Sequence, residues 1–504
     1  MKNKQAVNPF LSLGEYIPDG EPHVFGDRVY LFGSHDKEGG DRFCMLDYVC
    51  YSAPVDDLTD WRYEGVTYRA EQDPVYAGTG RPTTLAAPDV VQGNDGRYYL
   101  YYTTDGFKDP IKVAVCDTPA GSYEYLGVVR NPDGTPYRKR LPFDPALLND
   151  NGTIRLYCGW ALPLAPNLLN RLSMEVTGRI LFGKVRDRGH SGSIMGAYTV
   201  ELADDMLTVR TEPKLVAPCR MEARGTGFQD HAFYEASSIR KVGDTYYFIW
   251  SSFVNHELCY ATSKYPDREF VYRGVIISNG DVGYQGRKPS QRLNTTGNNH
   301  GSIEYINGQW YVFYHRHTHN TSFSRQACAE KIKILPNGTI PQAEMTSCGL
   351  NGGPLLAEGS YPAAIACNLH RGRMGHIVNG ISKADRPFIT HGGEERFITG
   401  IRDGTVIGYK YFQFSGKRQL TVRTRGTAKG ALDIFAAEKK IGTIAVHGGS
   451  GWIKSSATVD FTGTAALYLR YHGRGRLDFL EFGFERAENT APGRETNGFE
   501  EEKL

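Results

Sequence analysis

The sequence predicts an all-β protein, a five-bladed β-propeller followed by a β-sandwich module of the jelly-roll type. Two series of short strands predict it: a strand–turn–strand unit recurs five times in residues 1–350, and a second series spans 360–486. The composition agrees, because the 504 residues include 31 Tyr and 58 Gly. Tyrosine favours strands, and glycine favours the tight turns between them. Repetition of one sheet unit is typical of a propeller.

Each of the five repeats contains an apolar, mostly aromatic strand that directly follows a turn. The turns are GDR, NDGR, NDNGT, GDT and NGQ, compositions that tolerate positive φ and close hairpins. The aromatic strands are VYLFGS (29–34), YYLYYTT (98–104), IRLYCGW (154–160), YYFIWSS (246–252) and WYVFYHR (310–316). We therefore expect one hairpin, and so one blade, at each repeat.

The strand before each turn opens with one chemically reactive side chain. These residues are Asp19, Asp89, Asp144, Glu235 and His300. In a propeller the first strand of each blade lines the central channel, so the five side chains are predicted to converge at one end of it. A single acid beside a strand is more typically a solvated or capping residue. Their common position in five repeats favours a shared pocket.

The domain boundaries follow from the same patterns. Residues 1–350 form the predicted propeller, and the Gly- and Pro-rich stretch 351–359 forms a linker. Short strands at regular spacing predict the β-sandwich at 360–486. The remaining residues, 487–504, are polar and charged and are predicted to be disordered.

Composition excludes several classes of function. A net charge of +2 and a pI near 8.0 give no basic surface for nucleic acid. No apolar window reaches the length of a membrane-spanning helix. The nine cysteines show no CxxC pair, and the start MKNKQAVNPF has no apolar signal segment, so we expect a cytoplasmic protein with free thiols. A homo-oligomer remains compatible with the sequence.

The repeats resemble glycoside hydrolase family 43. The segments that carry the resemblance are PDGEPHVFGDRVYLFGSHD, LAAPDVVQGNDGRYYLYYTT, FDPALLNDNGTIRLYCGW, FYEASSIRKVGDTYYFIWSS and NHGSIEYINGQWYVFYHRH. The resemblance implies a five-bladed propeller that hydrolyses xylosides, arabinofuranosides and arabinans with inversion. The segment 360–486 is similar to a family 6 carbohydrate-binding module, through GYKYFQFSG, QLTVRTRG and its last strands.

The resemblance also implies roles for single residues. Asp19 matches the general base, Asp89 the aspartate that tunes the acid's pKa, and Glu235 the general acid. His300 matches a central histidine associated with calcium or its waters, and Arg325 matches a substrate-contacting arginine.

The chain departs from the family pattern at two places. Ala86 stands where many members have Trp, and Gly20 stands where the commoner DP motif has its proline. One wall of the sugar pocket is therefore expected to be built differently, as is the backbone beside Asp19.

The chemistry of glycoside hydrolysis explains the need for several carboxyl groups. One must be protonated to protonate the leaving oxygen, and one must be ionised to activate water. A third carboxylate nearby raises the pKa of the acid. This chemistry requires no cofactor. A structural calcium ion near His300 would keep most of its waters, because calcium prefers oxygen ligands.

Other candidates keep two interpretations. Asp144 is compatible with binding substrate or water, or with capping a turn. Phe233 and Trp160 could stack on a sugar face or pack inside a blade, and Trp452 could be a sugar platform or belong to a module that only braces the propeller. His300 could equally be a hydrogen-bonded core histidine.

We therefore predict an inverting glycosidase that removes terminal α-L-arabinofuranosyl or β-D-xylosyl units from short oligosaccharides. The sequence does not choose between the two sugars. The main alternative is a non-catalytic sugar-binding propeller with its module. A retaining five-bladed fructosidase is a further alternative, but it would need different motifs around the carboxylates.

Overall fold

The computed structural model describes residues 5–80, 84–104, 109–165, 167–170, 172–173, 176–177 and 194–486. Within these ranges the chain forms five separate small antiparallel sheets, followed by one larger sheet. The predicted all-β architecture and the five-bladed propeller are confirmed. The predicted disordered segment 487–504 lies outside the described residues.

The five small sheets are the blades, and each uses consecutive strands of the chain. The first blade contains β1 (Glu21–Phe25), β2 (Arg28–Phe32), β3 (Tyr48–Pro54) and β4 (Arg62–Tyr68). The second contains β5 (Ala86–Gln92), β6 (Tyr98–Thr103), β7 (Lys112–Cys116) and β8 (Glu124–Val128). The third contains β9 (Ala146–Asp150), β10 (Thr153–Trp160), β11 (Gly196–Glu201) and β12 (Lys214–Pro218). The fourth contains β13 (Phe233–Val242), β14 (Thr245–Ser252), β15 (Leu258–Ser263) and β16 (Val271–Ile277). The fifth contains β17 (Ile303–Ile306), β18 (Gln309–His317) and β19 (Arg325–Ile332).

The aromatic strands predicted from the sequence are the second strands of the blades. In β14, seven of the eight residues are buried, because both faces of this strand pack against apolar neighbours. The cores lie between adjoining blades: one cluster combines Tyr101 and Val113 of the second blade with Leu147 and Leu156 of the third. Burial of apolar surface between blades therefore stabilises the ring.

The start of the chain completes the fifth blade. The Asn8 side-chain amide donates a hydrogen bond to the Ala329 carbonyl at 2.9 Å, and the Phe10 N–H donates to the Ala327 carbonyl at 3.3 Å. A bridge between Gly20 and the residue after His300 joins the first blade to the fifth. The ring is therefore closed by contacts between residues about 300 positions apart in the sequence.

The second domain is one eight-stranded sheet that curls around its own core. Its strands are β20 (Leu355–Leu356), β21 (Gly359–Pro362), β22 (Asn368–His370), β23 (Phe388–Gly392), β24 (Glu395–Ile401), β25 (Val406–Ala436), β26 (Lys439–Arg474) and β27 (Leu477–Arg486). Several short predicted strands are thus joined into β25 and β26. Irregular register near Gly426, which has φ +124°, lets β25 bend without ending.

Part of the predicted linker belongs to this sheet, because β20 pairs with β25 and β21 pairs with β27. Short 3-10 turns occur at Ala70–Gln72, Asn279–Asp281, Tyr284–Gly286, Pro289–Gln291 and Ala363–Ile365. Among the described residues, no helix is long and apolar enough to span a membrane.

The two domains share a polar interface. The buried Arg316 of the fifth blade donates hydrogen bonds to the carbonyls of Ala364 and Ala366, at 2.6 and 2.9 Å. Lys410 of the second domain reaches back to Asp281 of the propeller at 3.0 Å. These contacts hold the segment before β23 against the face of the propeller that carries the site.

Candidate active site

A pocket of about 340 Å³ opens at one end of the propeller channel. All five blades and one segment of the second domain contribute to its described lining. The polar members are Asp19, Thr84, Thr104, Asp144, Glu235, His256, Asn298, His300, Ser322, Arg325 and Asn379. The aromatic and aliphatic members that matter below are Phe43, Trp160, Tyr234, Ile377 and Val378. A pocket of this size with convergent polar groups is typical of a small-molecule site.

Asp19 precedes β1 and is 5% exposed. Its Oδ2 accepts a hydrogen bond from the Ser34 hydroxyl at 2.6 Å. Arg325 donates from Nη1 to both carboxylate oxygens, at 2.8 and 3.1 Å. These donors suit an ionised carboxylate, which can only accept hydrogen bonds. The geometry therefore holds both carboxylate oxygens of Asp19 in place at the pocket wall.

Glu235 lies within β13 on the fourth blade. Burial, and after it the charge of Asp19, raises the pKa of its carboxyl to about 7. Arg325 and a hydrogen bond from the Trp160 side chain oppose this rise. A carboxyl group with a pKa near neutrality can hold a proton near neutral pH and donate it as an acid. The pocket therefore contains two carboxyl groups with different environments.

Asp144 is a third carboxyl group in the pocket. Its Oδ2 accepts the N–H of Ala236, the residue after Glu235, at 2.9 Å. Burial raises its pKa well above the usual range, and the charge of Glu235 adds to that effect. Because the two carboxyls influence each other, they titrate as a pair.

The backbone explains why these residues converge. Asp19, Ala87, Asp144 and Ala236 stand near the starts of four different blades with φ of +58°, +38°, +47° and +67°. Such values are uncommon outside glycine and often mark functional sites. The shared positive φ values identify structurally equivalent residues in the blades. By this criterion the second-blade residue equivalent to Asp19 and Asp144 is Ala87.

Asp89 therefore lies deeper than predicted. It stands two residues beyond Ala87, about 6.6 Å further along a strand, and it does not line the pocket. Its Oδ2 accepts the Leu147 N–H at 2.6 Å, and its Oδ1 lies 2.6 Å from His23 Nε2. Both partners belong to the first strands of neighbouring blades, so Asp89 faces the channel one layer below the reaction site.

His300 lines the pocket and is buried. Its Nδ1 is 3.9 Å from Asp19 Oδ1 and 3.9 Å from Asp144 Oδ2. Its Nε2 is 3.9 Å from Glu21 Oε1, and both of these buried atoms lack a hydrogen-bond partner among the described residues. A water or a cation between them would satisfy both, so His300 and Glu21 fit a small axial ion such as calcium.

Arg325 lines the pocket, but its guanidinium is committed to protein partners. Besides Asp19, it donates to both oxygens of the buried Asp36, at 2.8 and 3.0 Å. The ring of Phe43 covers it at 4.7 Å. Arg325 therefore holds Asp19 through protein contacts, and its predicted contact with substrate stays a prediction.

The two aromatic residues predicted to contact the sugar lie in different environments. Trp160 lines the pocket, whereas Phe233 is fully buried in the core between the third and fourth blades and does not. The adjacent Tyr234 lines the pocket instead. The irregular register of β13 between Phe233 and Glu235 breaks the expected alternation of faces, so Phe233 is corrected to a core residue.

The sequence reasoning missed the contribution of the second domain. Ile377, Val378 and Asn379 form part of the pocket wall. The preceding His376 accepts or donates a hydrogen bond to His256 of the fourth blade at 2.9 Å. No local pattern marks these residues, because the contact joins positions 120 apart.

Trp452 of the second domain is occupied by protein contacts. Its indole N–H donates to Glu395 Oε2 at 2.8 Å, and the guanidinium of Arg425 lies 4.2 Å from the ring centroid. One face of the indole is therefore covered by this cation–π contact.

Comparison with known proteins agrees with this geometry. The family profile described as "Glycosyl hydrolases family 43" matches residues 8–340. A xylosidase/arabinosidase from Thermoclostridium stercorarium is 46% identical over 95% of this chain and 98% of its own length. A xylosidase/arabinosidase from Bacteroides ovatus is 30% identical over 61% of this chain and 87% of its own.

The fold has solved counterparts. A GH43_1 enzyme from Xanthomonas citri, solved with xylotriose, has a TM-score of 0.50 at 22% identity, covering 68% of this chain and 94% of its own. The profile match spans most of the chain, and the T. stercorarium relative aligns from end to end. The chain therefore belongs to glycosyl hydrolases family 43, and it is a glycosidase that hydrolyses O-glycosyl bonds.

Proposed function

We propose that this glycosidase removes terminal α-L-arabinofuranosyl or β-D-xylosyl units from hemicellulose-derived oligosaccharides with inversion of the anomeric centre. The observation that carries the proposal is one pocket with two unlike carboxyl groups: Glu235, whose pKa is raised to about 7, and Asp19, which is paired with Arg325. The names of the curated relatives, xylosidase/arabinosidase, supply the sugar class.

Glu235 is the general acid of the proposed mechanism. It transfers its proton to the glycosidic oxygen as the bond from that oxygen to the anomeric carbon breaks. The leaving sugar therefore departs as a neutral alcohol. The hydrogen bond from Trp160 fixes the carboxyl and steadies the carboxylate that remains.

Asp19 is the general base. It takes a proton from a water molecule as the water oxygen bonds to the anomeric carbon from the opposite face. Arg325 and Ser34 hold both carboxylate oxygens in place, so little reorganisation is needed at the moment of reaction.

Asp144, in place of Asp89, is the residue that tunes the acid. Its carboxyl receives the N–H of the residue that follows Glu235, and the two groups repel each other when both are ionised. This repulsion favours retention of a proton by the pair. Asp89 instead supports the strand starts from beneath the pocket.

The pocket favours the end of a substrate chain over its middle. Residues from all five blades and the second domain surround it on the described sides. Trp160 and Tyr234 offer flat apolar surfaces for a sugar ring. A bound axial ion at His300 and Glu21 would add electrostatic support beneath the sugar, whereas the bond-breaking steps use carboxyl groups alone.

The test uses 4-nitrophenyl β-D-xyloside and 4-nitrophenyl α-L-arabinofuranoside with wild type, Asp19→Asn and Glu235→Gln. We expect turnover of at least one substrate and its loss in Asp19→Asn. Glu235→Gln should retain far more activity on these activated glycosides than on xylobiose, because a good leaving group needs little protonation. Proton NMR of the first-formed sugar should show the inverted anomer.

Turnover by Asp19→Asn at the wild-type rate would remove Asp19 as the base, and a retained anomer would refute inversion. Binding of both sugars without turnover by the folded wild type would favour a sugar-binding protein instead.

We also propose a cytoplasmic location. All nine cysteines are free thiols, and seven of them are buried, which suits a reducing compartment. Cell fractionation with an antibody against the chain tests this; recovery in the external medium would refute it.

A further inference from the structure

A cluster of two histidines and a glutamate joins the second domain to the propeller away from the catalytic pocket. Strands β23 and β24 form a hairpin whose facing residues His391 and Arg396 pair across the two strands. Both reach Glu38, which follows β2 of the first blade. His319, which follows β18 of the fifth blade, completes the group.

The atoms of this cluster are spaced as ligands of one ion. His319 Nε2 lies 2.8 Å from His391 Nδ1. Glu38 Oε1 lies 3.5 Å from His391 Nδ1 and 3.8 Å from His319 Nε2. A triangle with these sides has one point about 2.0 Å from all three atoms, and that distance matches Zn–N and Zn–O bonds.

Surrounding groups orient these ligand atoms. The Thr318 hydroxyl lies 2.9 Å from His319 Nδ1, which leaves Nε2 for the cluster. Arg396 donates to Glu38 Oε2 at 2.7 Å and to Oε1 at 3.2 Å, and the Tyr16 hydroxyl donates to Oε1 at 2.9 Å. Partners of this kind commonly fix histidine and carboxylate ligands around a metal.

The backbone and exposure also suit a binding site. His319 has φ +56°, a conformation that is uncommon for a side-chain-bearing residue. The His319 N–H donates to the Ile389 carbonyl of the second domain at 2.7 Å, so the strained residue is held at the domain boundary. The His391 side chain is 36% exposed, which gives an ion access from solvent.

We propose that Glu38, His319 and His391 bind a Zn²⁺-class transition-metal ion that fastens the second domain to the propeller. Two imidazoles and one carboxylate suit zinc and its neighbours, whereas calcium prefers sites made of oxygen. The site is separate from the axial site at His300. Three protein ligands leave a coordination position for water.

The experiment measures zinc bound per full-length chain after treatment with a chelator and dialysis against micromolar ZnCl₂ in excess CaCl₂. Wild type is compared with His391→Gln and with the control His447→Gln, an exposed histidine elsewhere in the second domain. We expect His391→Gln to bind one equivalent less than wild type and at least about 100-fold more weakly at this site. The control should match wild type.

Substitution by Co²⁺ gives a second readout. Wild type and His447→Gln should show the intense visible bands of four-coordinate cobalt, and His391→Gln should lose them. Zinc should also raise the unfolding temperature of wild type but not of His391→Gln. Circular dichroism verifies that each variant is folded, and His319→Gln repeats the test if His391→Gln is not.

The proposal is overturned if wild type and His391→Gln bind the same amount of zinc. It is also overturned if wild type binds none, since the cluster would then be a hydrogen-bonded contact between domains only. Neither result bears on the carboxyl groups of the catalytic pocket.

Discussion

Replacement of Glu235 by glutamine should stabilise the protein at alkaline pH while it removes the proposed proton donor. The pKa of Glu235 rises from its ordinary value of 4.5 to about 7, first because of burial and then because of Asp19. This rise corresponds to about 3 kcal/mol, since each pKa unit is worth about 1.4 kcal/mol. Glutamine keeps the size of the side chain and can still accept the hydrogen bond from Trp160.

The pH dependence has a defined direction. Below pH 4.5 the carboxyl is protonated in both the folded and the unfolded chain, so its ionisation contributes nothing. Between pH 4.5 and about 7 the unfolded chain releases the proton while the folded chain keeps it. The free energy of unfolding of wild type therefore falls through this range by up to about 3 kcal/mol from this residue. The glutamine variant carries no such loss.

The assay is urea unfolding followed by tryptophan fluorescence at pH 5 and at pH 8.5. The midpoint of Glu235→Gln should exceed that of wild type by clearly more at pH 8.5 than at pH 5. Glu124→Gln is the control, because Glu124 is exposed on the outer strand of the second blade. An equal difference at both pH values would show that Glu235 does not carry a raised pKa, and the assignment of the general acid would lose its physical basis.

Three further outcomes test the neighbouring residues. Asp144→Asn should lower kcat/KM by about 100-fold or more and shift the alkaline limb of the pH–rate profile. Asp89→Asn should leave that limb where it is in wild type. The opposite pattern would show that Asp89, and not Asp144, tunes the pKa of Glu235. Arg325→Lys keeps the charge but loses the planar fork of donors that bonds Asp19 and Asp36 from separate nitrogens, so kcat should fall about 100-fold on both aryl glycosides. An unchanged kcat would exclude positioning of the base by Arg325. Val378→Lys should raise KM for xylotriose by up to about tenfold, because the sugar loses an apolar contact. The control is Ile381→Lys, which changes an equally exposed residue outside the pocket. Equal effects of the two substitutions would show that Val378 does not contact the substrate.

The common position of reactive side chains in the five sequence repeats predicted most of the pocket. Asp19, Asp144, Glu235 and His300 all reach it, because equivalent strand starts in a propeller meet at the channel. The same reasoning placed Asp89 in the pocket, which Asp89 does not line. The register of β5 is irregular between Ala86 and Asp89, so the sequence pattern identified the channel strand but not the depth of Asp89 along it.

Phe233 shows a second limit on predicting side-chain positions from a strand pattern. An alternating pattern assigns faces correctly only while the strand stays regular, and β13 loses its regular register between Phe233 and Glu235. The irregularity turns Tyr234 and Glu235 to the pocket and leaves Phe233 in the core. No residue type at this position indicates an irregular register, so only the folded backbone shows it.

The second domain was predicted as a separate module, but its contacts make it part of the catalytic unit. The wall segment is anchored on both sides. On one side the Thr296 N–H donates to the Gly375 carbonyl at 3.0 Å and the Ile377 N–H donates to the Thr296 carbonyl at 2.7 Å. On the other side the Ser322 N–H donates to the Gly380 carbonyl at 2.9 Å. Between these anchors lie the wall residues Val378 and Asn379.

Removal of the second domain would therefore do more than delete a binding accessory. It would open one side of the pocket and expose His256, whose pKa burial lowers to about 3. A neutral imidazole buried beside His376 would become a solvated one that protonates near its ordinary pKa, adding a positive charge at the pocket wall. Since burial is the largest cause of the raised pKa of Glu235, water admitted from this side would also lower that pKa. We infer that the second domain supports the proposed acid role of Glu235 through the dielectric environment of the pocket as well as through the shape of the pocket.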